Sequence, residues 1–141
     1  MTLGPNSAFA YWTLGSVFGY RGRPQEAIPY YQKSLRLSPI PVNSQLLTFL
    51  AGAYRDLGQY EEALVTYKKV LHFYGPDHSM AHFGLAVCYA MMGRENEARA
   101  EGAELLRIDP NFSVERWMRN NPLDPAAKAR MTEALLKAGL K

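Results

Sequence analysis

The chain has 141 residues, enough for one folding unit with a continuous core. Its formal charge of +3 is spread as Lys and Arg scattered among acids, which argues against a nucleic-acid partner, and no apolar run is long enough to cross a bilayer. The single cysteine, Cys88, rules out an internal disulfide framework and suits a reducing, cytoplasmic setting.

In chain order, the opening Met1-Thr2-Leu3-Gly4-Pro5 lacks a charged region followed by an apolar one, so no secretory leader is read there. Leu3-Gly4-Pro5-Asn6 instead looks like the end of a helix pair, because Pro5 stands 34 residues before Pro39. The expectation is a fragment of a longer protein, with an ordinary helix cap before the first copy as the alternative. Apolar periodicity then predicts helices near 7–21, 24–37, 44–57, 60–73, 79–92 and 95–108. The first pair carries Tyr11-x2-Leu14-Gly15-x2-Phe18, then Gly22, Ala27-x3-Tyr31 and Pro39. The second carries Leu47-x2-Leu50-Ala51-x2-Tyr54, then Gly58, Ala63-x3-Tyr67 and a Gly75-Pro76 break. The third carries His82-x2-Leu85-Ala86-x2-Tyr89, then Gly93, Ala98-x3-Gly102 and Pro110. Gly22, Gly58 and Gly93 lie 36 and 35 residues apart, so the pattern is one unit written three times. Beyond Pro110, Ser113 caps a short helix through Arg119, ended by Asn120-Asn121-Pro122. Asp124-Pro125 opens a last amphipathic helix, with Ala127, Met131, Ala134, Leu135 and Ala138 on one stripe, which Gly139 ends.

Each unit needs these residues for packing. Leu14, Phe18, Leu50, Tyr54, Leu85 and Tyr89 share one face of the first helices and should be buried. Gly15, Ala51, Ala86, Ala27, Ala63 and Ala98 let two backbones approach closely. Glycines 22, 58 and 93 end the first helices in a left-handed conformation, and Pro39 and Pro110 stop second helices. A single pair cannot bury its stripe alone, so stability must come from stacking and from a sealed end. The expected fold is all-α: an α-solenoid of antiparallel helix pairs over residues 1–110, with units at about 8–41, 44–77 and 79–112. Residues 111–141 form the short helix and the capping helix.

The aromatic–Leu–Gly–aromatic run followed by Ala, aromatic and Pro resembles the tetratricopeptide repeat, a resemblance that implies a non-catalytic scaffold for protein–protein interaction. A narrower likeness rests on Leu37-Ser38-Pro39, Ala53-Tyr54-Arg55-Asp56-Leu57-Gly58 and the tail from Leu106 through Leu140. These are similar to the repeat regions at the C-terminus of bacterial signalling proteins that carry a class III adenylate or guanylate cyclase domain or a winged-helix domain. That likeness implies a regulatory or docking module whose parent holds the catalytic residues. This chain shows no catalytic machinery of a cyclase.

Counting by helical period, the residues left for a concave groove are Phe9, Trp12, Ser16 and Tyr20, then Gln45, Thr48, Gly52 and Arg55, then Met80, Phe83, Val87 and Met91. Aromatic anchors and adaptable thioethers suit a helical or extended apolar segment of another protein, or of another domain in the same polypeptide. Trp12→Ala or Phe83→Asp is then expected to abolish partner binding with helicity intact. Two alternatives stay open: the last helix covers the groove in cis, or the module homodimerises. Chaperone-binding members of the family grip a C-terminal carboxylate with lysine, arginine and asparagine. The matching places here read Trp12, Ser16, Met80 and Gly84, so that clamp is not expected.

Catalytic and metal readings are weak. His78 and His82 stand four apart, yet His78 precedes its helix, His82 takes a repeat position and no third ligand is evident. Gly15, Gly19 and Gly22 follow no strand and make no phosphate loop. Glu61, Glu62, Glu95 and Glu97 sit in first turns, where the helix dipole favours acids. No cofactor and no enzymatic activity are expected.

Overall fold

The computed structural model describes residues 7–41 and 44–141, so the motif at Leu3–Asn6 lies outside the described residues. Eight helices and no strand are found among them. The chain divides into two compact units, one ending at Pro76 and one spanning Asp77–Lys141. The first holds α1 (Ala8–Tyr20), α2 (Pro24–Leu37), α3 (Gln45–Asp56) and α4 (Tyr60–Tyr74). The second holds α5 (Ser79–Met91), α6 (Glu95–Ile108), α7 (Val114–Asn120) and α8 (Pro125–Lys137). The six repeat helices fall within one residue of their expected bounds, because strong local signals end them.

Those signals are visible in the turns. Gly22, Gly58 and Gly93 have φ of 68°, 77° and 74°, a left-handed backbone that costs little without a Cβ. The amide three residues past each helix end then folds back. Arg23 N–H donates to Phe18 O at 3.0 Å, Gln59 N–H to Tyr54 O at 2.9 Å and Arg94 N–H to Tyr89 O at 2.8 Å. Gly139 repeats the device at the end of α8, with Leu140 N–H donating to Leu135 O at 3.0 Å.

In the first unit, Ala27, Ile28 and Tyr31 of α2 pack with Leu46, Leu50 and Ala53 of α3 to form the core. The Tyr31 ring lies so close to Gly15 that a Cβ there would sit 2.6 Å from it, which explains the small residue. Ser34 donates to Ala8 O at 2.7 Å, and Phe18 stacks on Tyr30 at 5.5 Å, so α1 and α2 are tied at both ends. Leu14 departs from expectation: it is 43% exposed, as is its neighbour Val17 at 42%. Its repeat equivalent Leu50 is buried because α2 covers it.

In the second unit α5 is buried continuously from Ala81 to Ala90, with α6 and α8 against it. The α8 stripe of Met131, Ala134, Leu135 and Ala138 is buried, while Ala127 is only partly so. A Cβ on Gly102 would run into the Ala138 carbonyl, so the repeat's usual aromatic is replaced by hydrogen to admit the C-terminal segment. Leu140 is fully buried beyond it, and Val114 N–H donates to Lys141 O at 2.9 Å. The last residues of the chain are thus part of the core.

Candidate functional site

The expected groove residues fall in both units. In the first, α1 and α3 lie side by side and present most of the residues expected in the groove. Phe9 is 51% exposed and meets Trp12 edge-on at 5.8 Å. Trp12 is only partly exposed because its ring packs on the core, and its Nε1 is buried with no partner. Ser16 bonds the Tyr31 side chain, whose pKa is raised above 10.0 mainly by burial. Tyr20 is the most open aromatic, 81% exposed and edge-on to Phe49 at 6.1 Å. Thr48 spends its hydroxyl on Ser44 O at 2.8 Å, leaving its methyl as the contact group. Gln45 is exposed, and Gly52 is half-buried beside the Arg55 guanidinium and the Tyr67 hydroxyl.

Arg55 is held rather than extended. Its Nη1 donates to Tyr67 Oη at 3.0 Å and its Nε to Asp56 at 3.2 Å, with the side chain 16% exposed. This arrangement stiffens the α3–α4 pair and lowers the positive charge available at the face. The first unit therefore offers an apolar, aromatic surface framed by bound hydroxyls.

The second unit corrects the expected groove. Met80 is 43% exposed and Met91 half-buried, but Phe83 and Val87 are each 1% exposed. Trp117 of α7 stacks on Phe83 with centroids 4.8 Å apart, and Phe112 leans on it at 6.0 Å. The chain's own residues past Pro110 occupy the place given to a partner. Phe83→Asp would put a charge into this core, so the expectation of intact folding fails for that variant. Trp12→Ala is compromised too, because the ring belongs to the first unit's core. Helical period does not single out Phe112 and Trp117 as the cover of Phe83, and Gly102, standing where the first two copies have Tyr31 and Tyr67, marks instead the place taken by Ala138.

Hollows remain in this unit. One of about 160 Å³ lies above Phe83, lined by Met80, Phe112, Asp109, Arg116 and Trp117. Another is an open groove of about 710 Å³ along α6 and α8, lined by Leu136 and by the ion pairs Arg99–Glu95 and Lys137–Glu133. The histidines do not converge on a metal. His78 Nδ1 accepts from Ala81 N–H at 3.2 Å as the cap of α5, while buried His82 pairs with Glu101 at 2.6 Å. Burial lowers the His78 pKa below 6.5, and nearby His82 adds to that. Among the described residues no cluster of three metal-binding side chains occurs, and no helix is long and apolar enough to cross a membrane.

Helix pairs closed by left-handed glycines, with small residues at the crossing points, define a repeat of the helical-hairpin class. Two models of the tetratricopeptide repeat match the sequence, one over residues 8–40 and one over 43–111. The chain belongs to the tetratricopeptide repeat family. Its fold is similar to the crystal structure of MamA, with a TM-score of 0.71 and 19% identity over 96% of this chain and 80% of that one. The second such domain of human RPAP3, solved with an HSP70 peptide, gives a TM-score of 0.70 and 20% identity over 95% and 96%. The first such domain of Spaghetti, bound to an HSP90 peptide, gives 0.68 and 20% over 94% and 99%. At these identities the likeness is one of fold. No curated protein matches the sequence.

Proposed function

We propose that this chain is a protein-interaction module whose working surface is the α1–α3 face of the first unit, taking a helical or extended apolar segment. The observation that carries the reading is the pair Phe9 and Tyr20, exposed aromatics on one helix face beside Trp12. Solved relatives with chaperone peptides support peptide capture as the mode of use. The segment differs in chemistry: positions that would grip an acidic C-terminus read Trp12, Ser16, Met80 and Gly84, so contact area replaces charge. In the second unit only Met80 and Met91 stay open to a partner, Phe83 and Val87 being covered.

The organisation we propose is three repeats at about 8–41, 44–77 and 79–112, with 111–141 as the closing segment. The tail and junction sequences support a place in a bacterial, cytoplasmic signalling protein of the cyclase or winged-helix type, where the module would dock a partner or a domain of its own polypeptide. A second reading, a structural module filled in cis that homodimerises, draws support from Trp117 on Phe83.

The test is peptide selection from a random display library against the chain, followed by titration of the selected peptides on Phe9→Ala and Tyr20→Ala. Truncating a central aromatic anchor is expected to weaken binding about tenfold or more. Selected peptides rich in Leu, Ile and aromatics, and insensitive to Met80→Ala, support the reading. Peptides that bind equally to wild type and both aromatic variants would place the site elsewhere. A dimer in light scattering with no peptide selected would favour the structural module.

A further inference from the structure

The charge of the molecule is unevenly divided between its units. Up to Pro76 the sequence holds seven Lys and Arg against four acids, and from Asp77 onward nine against nine, so the formal charge of +3 belongs to the first unit. Within that unit Glu26 stands in the first turn of α2, Glu61 and Glu62 in the first turn of α4, and Asp56 pairs with Arg55. The later turns of both helices are basic and exposed, with Arg36 on α2 and Lys68, Lys69 and His72 on α4. No ion pair among the described residues engages Arg36 or Lys69.

Large apolar side chains stand exposed among these cations. Leu37 at the end of α2 is 53% exposed, Ile40 of the α2–α3 junction 61% and Phe73 of α4 39%. Leu37 and Phe73 are 36 residues apart, the same place in successive repeats, and follow Arg36 and His72 directly. Tyr74 Oη donates to Pro41 O at 2.6 Å, which ties the end of α4 to the junction that carries Ile40. That junction is poor in free main-chain polar groups: Pro39 and Pro41 have no N–H, and the Pro41 carbonyl is engaged.

We infer that this end of the first unit is a docking surface for an anionic lipid bilayer, with Leu37, Ile40 and Phe73 entering the interface and Arg36 and Lys69 meeting headgroup phosphates. The contact is peripheral, since no helix among the described residues is long and apolar enough to cross a membrane. Two features favour a bilayer over an acidic protein segment. A bilayer offers anionic headgroups with an apolar layer beneath them, so it meets cations and apolar side chains together, at two depths. An acidic segment would meet the cations alone and leave Leu37 and Ile40 in water. The proline-flanked Ile40 also enters an apolar layer with few unpaired donors, whereas a segment lying along the junction would find few donors for its own carbonyls.

The test is co-sedimentation of the full chain with vesicles of phosphatidylcholine alone, and of phosphatidylcholine and phosphatidylserine at about 3:1. Binding to the anionic vesicles only, weakening as salt is raised, is expected. Lys69→Glu should weaken it at least about fivefold, the factor each cation contributes near such a surface. Ile40→Ser and Leu37→Ser should each weaken it by about the same factor, through lost apolar insertion. These positions are exposed, so the variants should keep the wild-type circular dichroism and melting curve. Tyr20→Ala should sediment as wild type, which separates this surface from the α1–α3 face. The inference is overturned by no binding to the anionic vesicles at low salt, by equal sedimentation with phosphatidylcholine alone, or by loss of binding in Tyr20→Ala. Binding that falls with Lys69→Glu but not with Ile40→Ser or Leu37→Ser also overturns it, because cations alone attract any polyanion. That pattern, with capture of a poly-glutamate peptide, would make an acidic protein segment the occupant.

Discussion

At the scale of single residues, the second-unit side chains that most resemble a binding site are the ones that hold that unit together. Phe83 between Trp117 and Phe112 is a core residue, so Phe83→Asp should cost about 3–5 kcal/mol, enough to unfold the unit, as read by chemical denaturation. Gly102 has no room for a Cβ, and Gly102→Ala should destabilise by about 1–3 kcal/mol through displacement of the Ala138 carbonyl. The equivalent position in the first two copies is tyrosine, so the sequence does mark this site as different. What it cannot state is that the replacement admits the chain's own C-terminus, since Ala138 is 36 residues away and only folding brings it there.

At the scale of elements, α1 and α5 are two helices of the same apolar character with opposite fates. Neither contains Asp, Glu, Lys or Arg, yet α5 is buried over Ala81–Ala90 while α1 exposes Phe9, Leu14, Val17 and Tyr20. Composition therefore identifies both as interior helices and is right for one. The N-terminus of α5 carries a pH-sensitive cap. His78 must stay neutral to accept from Ala81 N–H, and its pKa is lowered in the fold. The unfolded chain, with histidine near 6.5, then binds the proton more readily. The contribution is full above about pH 6.5 and is lost as pH falls through the lower folded value. Thermal melts of wild type and His78→Asn at pH 8 and pH 5.5 should show the smaller pH loss in the variant, because asparagine caps without titrating. At the other end of that unit, removing Leu140 and Lys141 deletes a buried leucine and the acceptor of Val114 N–H. A loss of about 2–5 kcal/mol is expected in a denaturant titration of the truncated chain, despite the changes lying in the final two residues.

At the scale of the whole molecule, the two units differ in which of the expected groove residues they leave exposed. If the α1–α3 face is the working surface, Tyr20→Ala should weaken a selected peptide by about 1–2 kcal/mol in calorimetry while Met80→Ala changes it little. The affinity should also vary little with salt, since the anchors are uncharged and Arg55 is already engaged. The sequence by itself determined the helices, their bounds and the family, because helix length, left-handed glycines and small crossing residues are local demands that repeat at a fixed period. It also placed Phe9, Trp12 and Tyr20 on one face, since helical period is a local property. Only the tertiary structure decided which apolar positions remain open. Burial depends on neighbours far along the chain: Trp117 closes Phe83, α8 seals α5 and α6, α2 covers Leu50, and Leu14 at the matching position of α1 stays bare.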